Sequence, residues 1–88
     1  MSREEFYASL RKFFHDRNPE LDPLQIGADD NLWDKGLVNS FSTFELLMHI
    51  QAELKQRIAV NRYAPRTFHT MQRMYDAFVA QQVGQDAP

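Results

Sequence analysis

A stretch rich in glycine and proline, lying between two segments of helical periodicity, is the feature that most constrains the fold of this chain. Residues 18–39 contain Pro19, Pro23, Gly27 and Gly36. These residues interrupt regular elements, so the stretch predicts a long loop between two helices. A loop of this length is uncommon in a compact domain unless it has a function. Its apolar residues are expected to pack onto the core: Leu21, Leu24, Ile26, Leu32, Trp33, Leu37 and Val38.

The first helix is predicted to begin after Ser2. Ser2 followed three residues later by Glu5 is a capping box, in which each side chain bonds the backbone N–H of the other residue. Asn18-Pro19 should end this helix, because the residue before a proline is disfavoured in the helical conformation. Apolar residues recur between these ends at helical spacing: Phe6, Leu10, Phe13 and Phe14.

The second helix is predicted to run from Asn39 or Ser40 to about Gln56, with Asn39 as its N-cap. Steps of about 100° per residue define one apolar stripe. It consists of Leu47, Ile50, Leu54 and Ile58, with Phe44 and Leu46 at its edges. Phe41 and Met48 fall outside this stripe, on its shoulder. The opposite side carries Glu45, His49, Glu53 and Gln56.

The remaining sequence predicts a short helical turn near Pro65–Phe68 and a last helix with Thr70 as its cap. The apolar residues of that last helix are Met71, Met74, Tyr75, Phe78 and Val79. The fold class is therefore all-α, with three main helices, one short helix and a long loop between helices one and two. We expect a single domain over residues 1–82 and a flexible C-terminal tail over residues 83–88.

Composition is that of a small globular protein and disfavours several function classes. The chain has 88 residues, 43% of them hydrophobic, and a net charge of −2. Residues 18–39 hold five acidic residues against Lys35 alone, and the rest is close to neutral. No stretch reads as a basic stripe, so no nucleic-acid partner is expected. No membrane-spanning run and no signal peptide are visible, which predicts a cytoplasmic protein without a membrane partner.

Ser40 is the first candidate for a chemically functional residue. A serine at a helix start is usually only a cap, and neither a Gly-x-Ser-x-Gly elbow nor a paired His and Asp supports a hydrolase. The absence of cysteine excludes a thiolate nucleophile and a disulfide framework. Glu45, His49 and Glu53 are spaced like metal ligands, but such a row is more often a solvated helix face. We predict no catalytic residue and no metal site.

The sequence around Ser40 resembles the attachment motif of the acyl and peptidyl carrier protein family. Residues 34–48 read Asp-Lys-Gly-Leu-Val-Asn-Ser-Phe-Ser-Thr-Phe-Glu-Leu-Leu-Met. In that family a Gly-rich turn leads into Asp-Ser at a helix start, then an apolar residue and a Thr-x-Glu-Leu-x-Met run. The matching residues are Phe41, Thr43, Glu45, Leu46 and Met48. Ile58-Ala59-Val60 and Phe68-His69-Thr70 continue the similarity, which covers roughly residues 29–80.

The resemblance implies a four-helix carrier-protein bundle with a covalent 4'-phosphopantetheine arm on Ser40. A phosphopantetheinyl transferase would move the arm from coenzyme A to the Ser40 hydroxyl. The thiol of the arm would then hold an acyl or aminoacyl group as a thioester, so the protein would be a carrier and not an enzyme. The positive end of a helix also suits the phosphodiester that this modification creates.

The resemblance further implies which partners act on the carrier. An enzyme of the adenylation or acyltransferase type would load it, and a condensing or tailoring enzyme would take the cargo. The docking residues would be Leu37, Asn39, Phe41, Met48 and Val60, although Phe41 and Met48 could instead be helix-edge core residues. The Gly-Leu-Val-Asn-Ser-Phe sequence is similar to free-standing D-alanyl or specialised-metabolism carriers, as in polyketide, nonribosomal-peptide and antibiotic biosynthesis. We expect a monomer.

Two departures from the family pattern leave alternatives open. Asn39 stands where the family usually has Asp, which keeps the cap but removes a charge beside the attachment site. Residues 40–58 balance two acids with two bases, so electrostatic steering toward fatty-acid enzymes should be weak. The main alternative is an unmodified helical protein-interaction module of the same fold. A small hydrolase that uses Ser40 is the third reading.

Overall fold

The fold in the computed structural model, which describes residues 1–80, consists of helices joined by loops. Helix α1 spans Arg3–Arg17, α2 spans Ser40–Leu54 and α3 spans Met71–Tyr75, which continues into a π-helical turn at Asp76–Ala80. Three short 3₁₀ helices lie at Pro23–Gln25, Val60–Arg62 and Pro65–Phe68. Residues 1–80 contain no β-strand, so the all-α prediction is confirmed. The predicted tail, residues 83–88, lies outside the described residues, as does the side chain of Val60.

Helix α1 begins and ends where its sequence predicts. The Ser2 hydroxyl accepts from the Glu5 N–H at 3.1 Å, and the Glu5 carboxylate accepts from the Ser2 N–H at 3.0 Å. The backbone N–H of Ser2 bonds the charged carboxylate and is the main cause of the lowered pKa of Glu5. Asn18 caps the other end. The residues that α1 buries are Phe6, Tyr7, Leu10, Phe13 and Phe14.

Helix α2 is slightly shorter than predicted and contacts the core along a narrower face. It ends at Leu54 because Lys55 takes the left-handed conformation, with φ of 55°. The core face consists of Leu46, Leu47 and Ile50, with Leu54 half-buried. Phe44, which was predicted at the edge of this face, is 64% exposed. It lies three residues after Phe41 and four before Met48, so it shares their solvent-facing side.

The C-terminal part of the described chain follows the predicted pattern. The Thr70 hydroxyl accepts from the Arg73 N–H at 3.0 Å, which confirms the N-cap of α3. The predicted turn at Pro65–Phe68 is a 3₁₀ helix. Where the helix widens into its π-helical turn, the Gln56 side chain donates to the Phe78 carbonyl at 3.3 Å. The buried residues of this part are Phe68, Met71, Met74, Phe78 and Val79.

The long loop between α1 and α2 packs against the helices through part of its apolar content. Its buried residues are Ile26, Leu32 and Val38, with Leu21 and Leu37 partly buried. The prediction is wrong for Leu24 and Trp33, which lie outside the core: Leu24 is 84% exposed, and Trp33 is 42% exposed with its ring 5.6 Å from that of His69. Polar groups also hold the loop in place. Arg11 of α1 donates twice to the Ile26 carbonyl, at 3.1 and 2.9 Å.

The same loop is also joined to the start of α3. The Leu32 N–H donates to the His69 carbonyl at 2.6 Å, and the Gln72 N–H donates to the Ala28 carbonyl at 3.0 Å. The loop is therefore joined to both α1 and α3 before the chain enters α2. Among residues 1–80, no helix is long and apolar enough to cross a lipid bilayer.

Candidate functional site

Ser40 is an exposed residue at the first position of α2, and its neighbours, not Ser40 itself, form the helix cap. The Asn39 side-chain oxygen accepts from the N–H groups of Phe41 and Ser42, each at 2.9 Å. In return, the Ser42 hydroxyl accepts from the Asn39 N–H at 2.7 Å. Within residues 1–80 the Ser40 hydroxyl makes no hydrogen bond. The interpretation of Ser40 as an ordinary capping residue is therefore wrong.

The helix end at Ser40 favours an anion. No acidic residue lies in the first turn of α2, and the cap residue Asn39 is neutral. The first carboxylate of α2, that of Glu45, is paired with the Arg17 guanidinium at 3.1 Å. The partial positive charge of the helix N-terminus is therefore not cancelled by a side chain in that turn. A phosphate group attached to the Ser40 oxygen would lie in a favourable field.

A tight turn positions the chain before Ser40. The N–H groups of Leu37 and Val38 both donate to the Leu32 carbonyl, at 2.9 and 3.2 Å. Gly36 in this turn has φ of +76°, a conformation that residues with a Cβ rarely adopt. The buried Val38 side chain anchors the turn to the core. Ser40 is thus held two residues beyond a fixed point while its own side chain stays in solvent.

Three large apolar side chains of α2 lie on the solvent side of the helix. Phe41, Phe44 and Met48 are 76%, 64% and 52% exposed, and we call them the α2 apolar stripe. The exposure of Phe41 and Met48 shows that the helix-edge core alternative is wrong. Phe44 was missed, although its spacing from the other two already placed it on their side of the helix.

The other predicted docking residues differ in how exposed their side chains are. Leu37 is half-buried, and Asn39 is exposed while its side chain serves as the cap. The side chain of Val60 lies outside the described part. Whether these residues contact a partner stays a prediction.

Three of the polar residues predicted on one side of α2, namely Glu45, His49 and Glu53, bond side chains of α1. Besides the pair between Glu45 and Arg17, His49 Nε2 lies 2.8 Å from the Ser9 hydroxyl. The same hydroxyl lies 2.5 Å from a carboxylate oxygen of Glu53. No group of His, Asp or Glu within residues 1–80 is arranged to hold a metal ion. These polar contacts join α1 to α2.

The Ser9–His49–Glu53 cluster has the residue types of a hydrolytic triad without its geometry. In a triad the histidine accepts the serine proton at one ring nitrogen, and the carboxylate holds the other nitrogen. Here the Ser9 hydroxyl donates its single proton to Glu53, and Glu53 is 3.9 Å from the same His49 nitrogen that faces Ser9. The arrangement therefore suits a contact between helices. The sequence could not reveal it, because Ser9 and His49 are 40 positions apart.

Comparison of the chain with models of protein families, with curated proteins and with solved structures finds no match. A functional proposal therefore rests on the residues around Ser40 and on their geometry. Those residues offer an exposed hydroxyl in a field that favours anions, on the helix that carries the α2 apolar stripe. Such an arrangement can accept a modifying group and can be approached by another protein.

Proposed function

We propose that this chain is a carrier protein of the four-helix carrier-bundle type, with a 4'-phosphopantetheine arm on Ser40 that holds an acyl or aminoacyl group as a thioester. The observation that carries the proposal is the Ser40 hydroxyl, which is exposed at the start of α2 while Asn39 and Ser42 form the cap. The Ser40 side chain is not needed for the helix cap, because Asn39 and Ser42 already form it. The similarity of residues 34–48 to the carrier attachment motif supports the same assignment.

The modification is a transfer to the Ser40 oxygen. That oxygen attacks the phosphorus of coenzyme A that bears the pantetheine, a new O–P bond forms, and the bond to adenosine 3',5'-bisphosphate breaks. A base of the transferase takes the hydroxyl proton. The chain contributes the nucleophilic oxygen and the positive end of α2, which stabilises the phosphodiester. Since the chain has no cysteine, no side-chain thiol competes for the cargo.

The partners of such a carrier are a phosphopantetheinyl transferase, a loading enzyme of the adenylation or acyltransferase type, and a condensing or tailoring enzyme. The α2 apolar stripe is the surface that we assign to docking, because exposed apolar side chains beside a reactive group are typical of interaction sites. We place the carrier in specialised-metabolite biosynthesis of the polyketide or nonribosomal-peptide kind.

The test is the mass of the protein after incubation with coenzyme A and a broad-specificity phosphopantetheinyl transferase. We expect wild type to gain one phosphopantetheine and Ser40→Ala to gain none. Ser42→Ala is the matched control, because it removes a neighbouring hydroxyl but leaves Ser40 in place. The proposal fails if several transferases leave wild type unchanged, or if Ser40→Ala still gains the mass.

The second candidate function is an unmodified interaction module, and Asn39 is the observation that favours it. A carrier of the usual type has an aspartate at this position, so Asn39 could prevent recognition by the transferase. The same mass measurement on Asn39→Asp separates the two functions. Loading of Asn39→Asp but not of wild type would favour the module.

A further inference from the structure

The stretch from the end of α2 to the end of α3 carries positive charge only. Residues 54–75 contain no aspartate or glutamate. They contain half of the lysine and arginine residues of the chain, namely Lys55, Arg57, Arg62, Arg66 and Arg73. All five are exposed, and none forms an ion pair with an acid in residues 1–80. We call these five residues the basic segment.

The other five lysine and arginine residues are all engaged within the fold. Arg11 bonds the Ile26 carbonyl of the long loop. The remaining four lie in ion pairs: Arg3 with Asp76 at 3.8 Å, Lys12 with Asp16 at 3.2 Å, Arg17 with Glu45 at 3.1 Å, and Lys35 with Asp30 at 3.8 Å. The lack of partners is therefore a property of the basic segment and not of the whole surface.

Stability of the fold explains only part of the basic segment. Lys55 and Arg57 follow the C-terminus of α2, where the helix dipole favours cations. Arg62 and Arg66, by contrast, are like charges four residues apart. An external group that supplies negative charge would account for these two residues.

We propose that the basic segment is a docking surface for a protein partner whose contacting surface is acidic. Four of its five cations are arginines, whose guanidinium groups can bond carboxylates through two parallel hydrogen bonds. A protein is favoured over a nucleic acid because of the neighbouring α2 apolar stripe, since exposed apolar side chains are typical of protein interfaces. The basic segment starts one residue beyond α2, so an acidic protein there could also reach that stripe.

The first experiment compares anionic probes of different chemistry. Labelled poly-L-glutamate represents an acidic protein surface, a short single-stranded DNA represents nucleic acid, and phosphatidylcholine vesicles with added phosphatidylserine represent a membrane. We expect the full chain to bind poly-L-glutamate most tightly, with an affinity that falls as salt rises. Tighter binding of the DNA or of the vesicles would overturn the assignment to a protein partner.

The second experiment locates the binding with charge-matched variants. Arg62→Glu/Arg66→Glu should weaken poly-L-glutamate binding by about tenfold or more, since both a contact and a favourable charge are lost at each position. Lys12→Glu/Lys35→Glu makes the same change in net charge at cations that are already paired, and should have an effect below about twofold. Equal weakening by both variants would overturn the proposal, because net charge alone would then explain it.

Two controls test whether the variants are folded and whether the chain self-associates. Circular dichroism verifies that each variant is folded, and Arg62→Gln/Arg66→Gln replaces the charge reversal if that variant unfolds. Sedimentation over a range of concentrations tests the other occupant, a second copy of this chain, whose acidic loop could meet the basic segment. Self-association that disappears in Arg62→Glu/Arg66→Glu would overturn the proposal that the partner is a different protein.

The proposal is independent of the modification of Ser40, and the two can fail separately. Ser40→Ala should bind poly-L-glutamate as wild type does, even though it cannot accept the arm. A loaded wild type that ignores poly-L-glutamate would refute the docking surface and leave the carrier function standing. A wild type that accepts no arm but binds the probe through Arg62 and Arg66 would refute the carrier function and leave the docking surface standing.

Discussion

Asn39 carries the cap of α2, and its contribution to stability can be separated from that of Ser40. Asn39→Ala removes the acceptor of two backbone N–H groups and should lower the free energy of unfolding by about 1 kcal/mol. Ser40→Ala should change it by less than about 0.5 kcal/mol, since its hydroxyl is exposed and bonds nothing in residues 1–80. Urea denaturation measures both. Equal losses in the two variants would show that Ser40 shares the capping role.

Asn39→Asp completes this series at the same position. The aspartate keeps the acceptor geometry and places a full negative charge at the positive end of α2. A stabilisation of about 0.3–1 kcal/mol at neutral pH is expected from the helix dipole. The gain should decrease at high salt, because the site is exposed. A gain that salt does not change would exclude the helix dipole as its cause.

The N-caps of the three α-helices were predictable from single residues and their near neighbours. Ser2, Asn39 and Thr70 each accept from an N–H at most three residues away, so a local motif contains all the required information. The contact between Ser9 and Glu53 was not predictable. It depends on how α1 and α2 lie against each other, which no local motif specifies.

At the scale of the element, α2 has one face for the core and one for solvent. Phe41→Ala and Met48→Ala should each change the free energy of unfolding by less than about 0.5 kcal/mol, because these side chains are mostly exposed. Ile50→Ala is the matched core variant and should cost about 2–5 kcal/mol, because Ile50 is fully buried. Urea denaturation tests stability, and the rate of cargo transfer from a loading enzyme tests docking.

The exposed variants are expected to slow that transfer while the helix content stays unchanged. If Phe41→Ala instead unfolds the protein, the side chain belongs to the core and the docking assignment is lost. If both variants transfer cargo as fast as wild type, the α2 apolar stripe does not face the loading enzyme.

The turn before α2 depends on the backbone conformation of Gly36. Gly36→Ala should destabilise the protein by about 1–2 kcal/mol through the left-handed conformation alone, because an added Cβ meets no atom within 4 Å. Gly36→Asn should cost less, since asparagine tolerates this region better. Thermal or urea unfolding measures the series. An Ala variant as stable as wild type would show that the turn can rearrange without cost.

Gly27 is the comparison for this prediction. Gly27 lies outside the left-handed region, and a Cβ there would lie 3.3 Å from a carboxylate oxygen of Asp30, which would have to shift by a few tenths of an ångström. We therefore expect Gly27→Ala to cost less than Gly36→Ala. The opposite order would place the strain at the loop start instead of at the turn.

The helices were predictable because their apolar periodicity and their caps agree. The exposure of individual apolar side chains on the loop and on α2 was harder to predict. Leu24, Trp33 and Phe44 have the hydrophobicity of core residues but lie outside the core. Whether an apolar side chain is covered depends on which neighbouring element reaches it. That information is tertiary, and the periodicity of one segment does not contain it.

At the scale of the whole molecule, the loop and the helices share one core. Ile26, Leu32 and Val38 of the loop are buried with residues from α1, α2 and α3. A domain of this size with one core should unfold in a single transition. Trp33 fluorescence and the helical circular dichroism signal should therefore have the same urea midpoint. A fluorescence change at lower urea would show that the loop detaches before the helices melt.

The distribution of charge is also a property of the whole molecule, and the sequence alone understated it. The basic segment contains five cations spread over 19 positions, a density too low to stand out as a run. Its significance emerges only when the partners of the other cations are known. A net charge of −2 therefore conceals an acidic stretch before α2 and a basic one after it.

The unengaged hydroxyl of Ser40 also makes the chain suitable for selective chemical labelling. Because the protein has no cysteine, Ser40→Cys would give it one thiol, at a position where the side chain has no structural duty. A thiol at a helix N-terminus ionises readily and would react with a maleimide or haloacetyl reagent at neutral pH. Any cargo analogue, spin label or crosslinker could then be attached without a transferase. The proposed loaded state could then be imitated and studied directly.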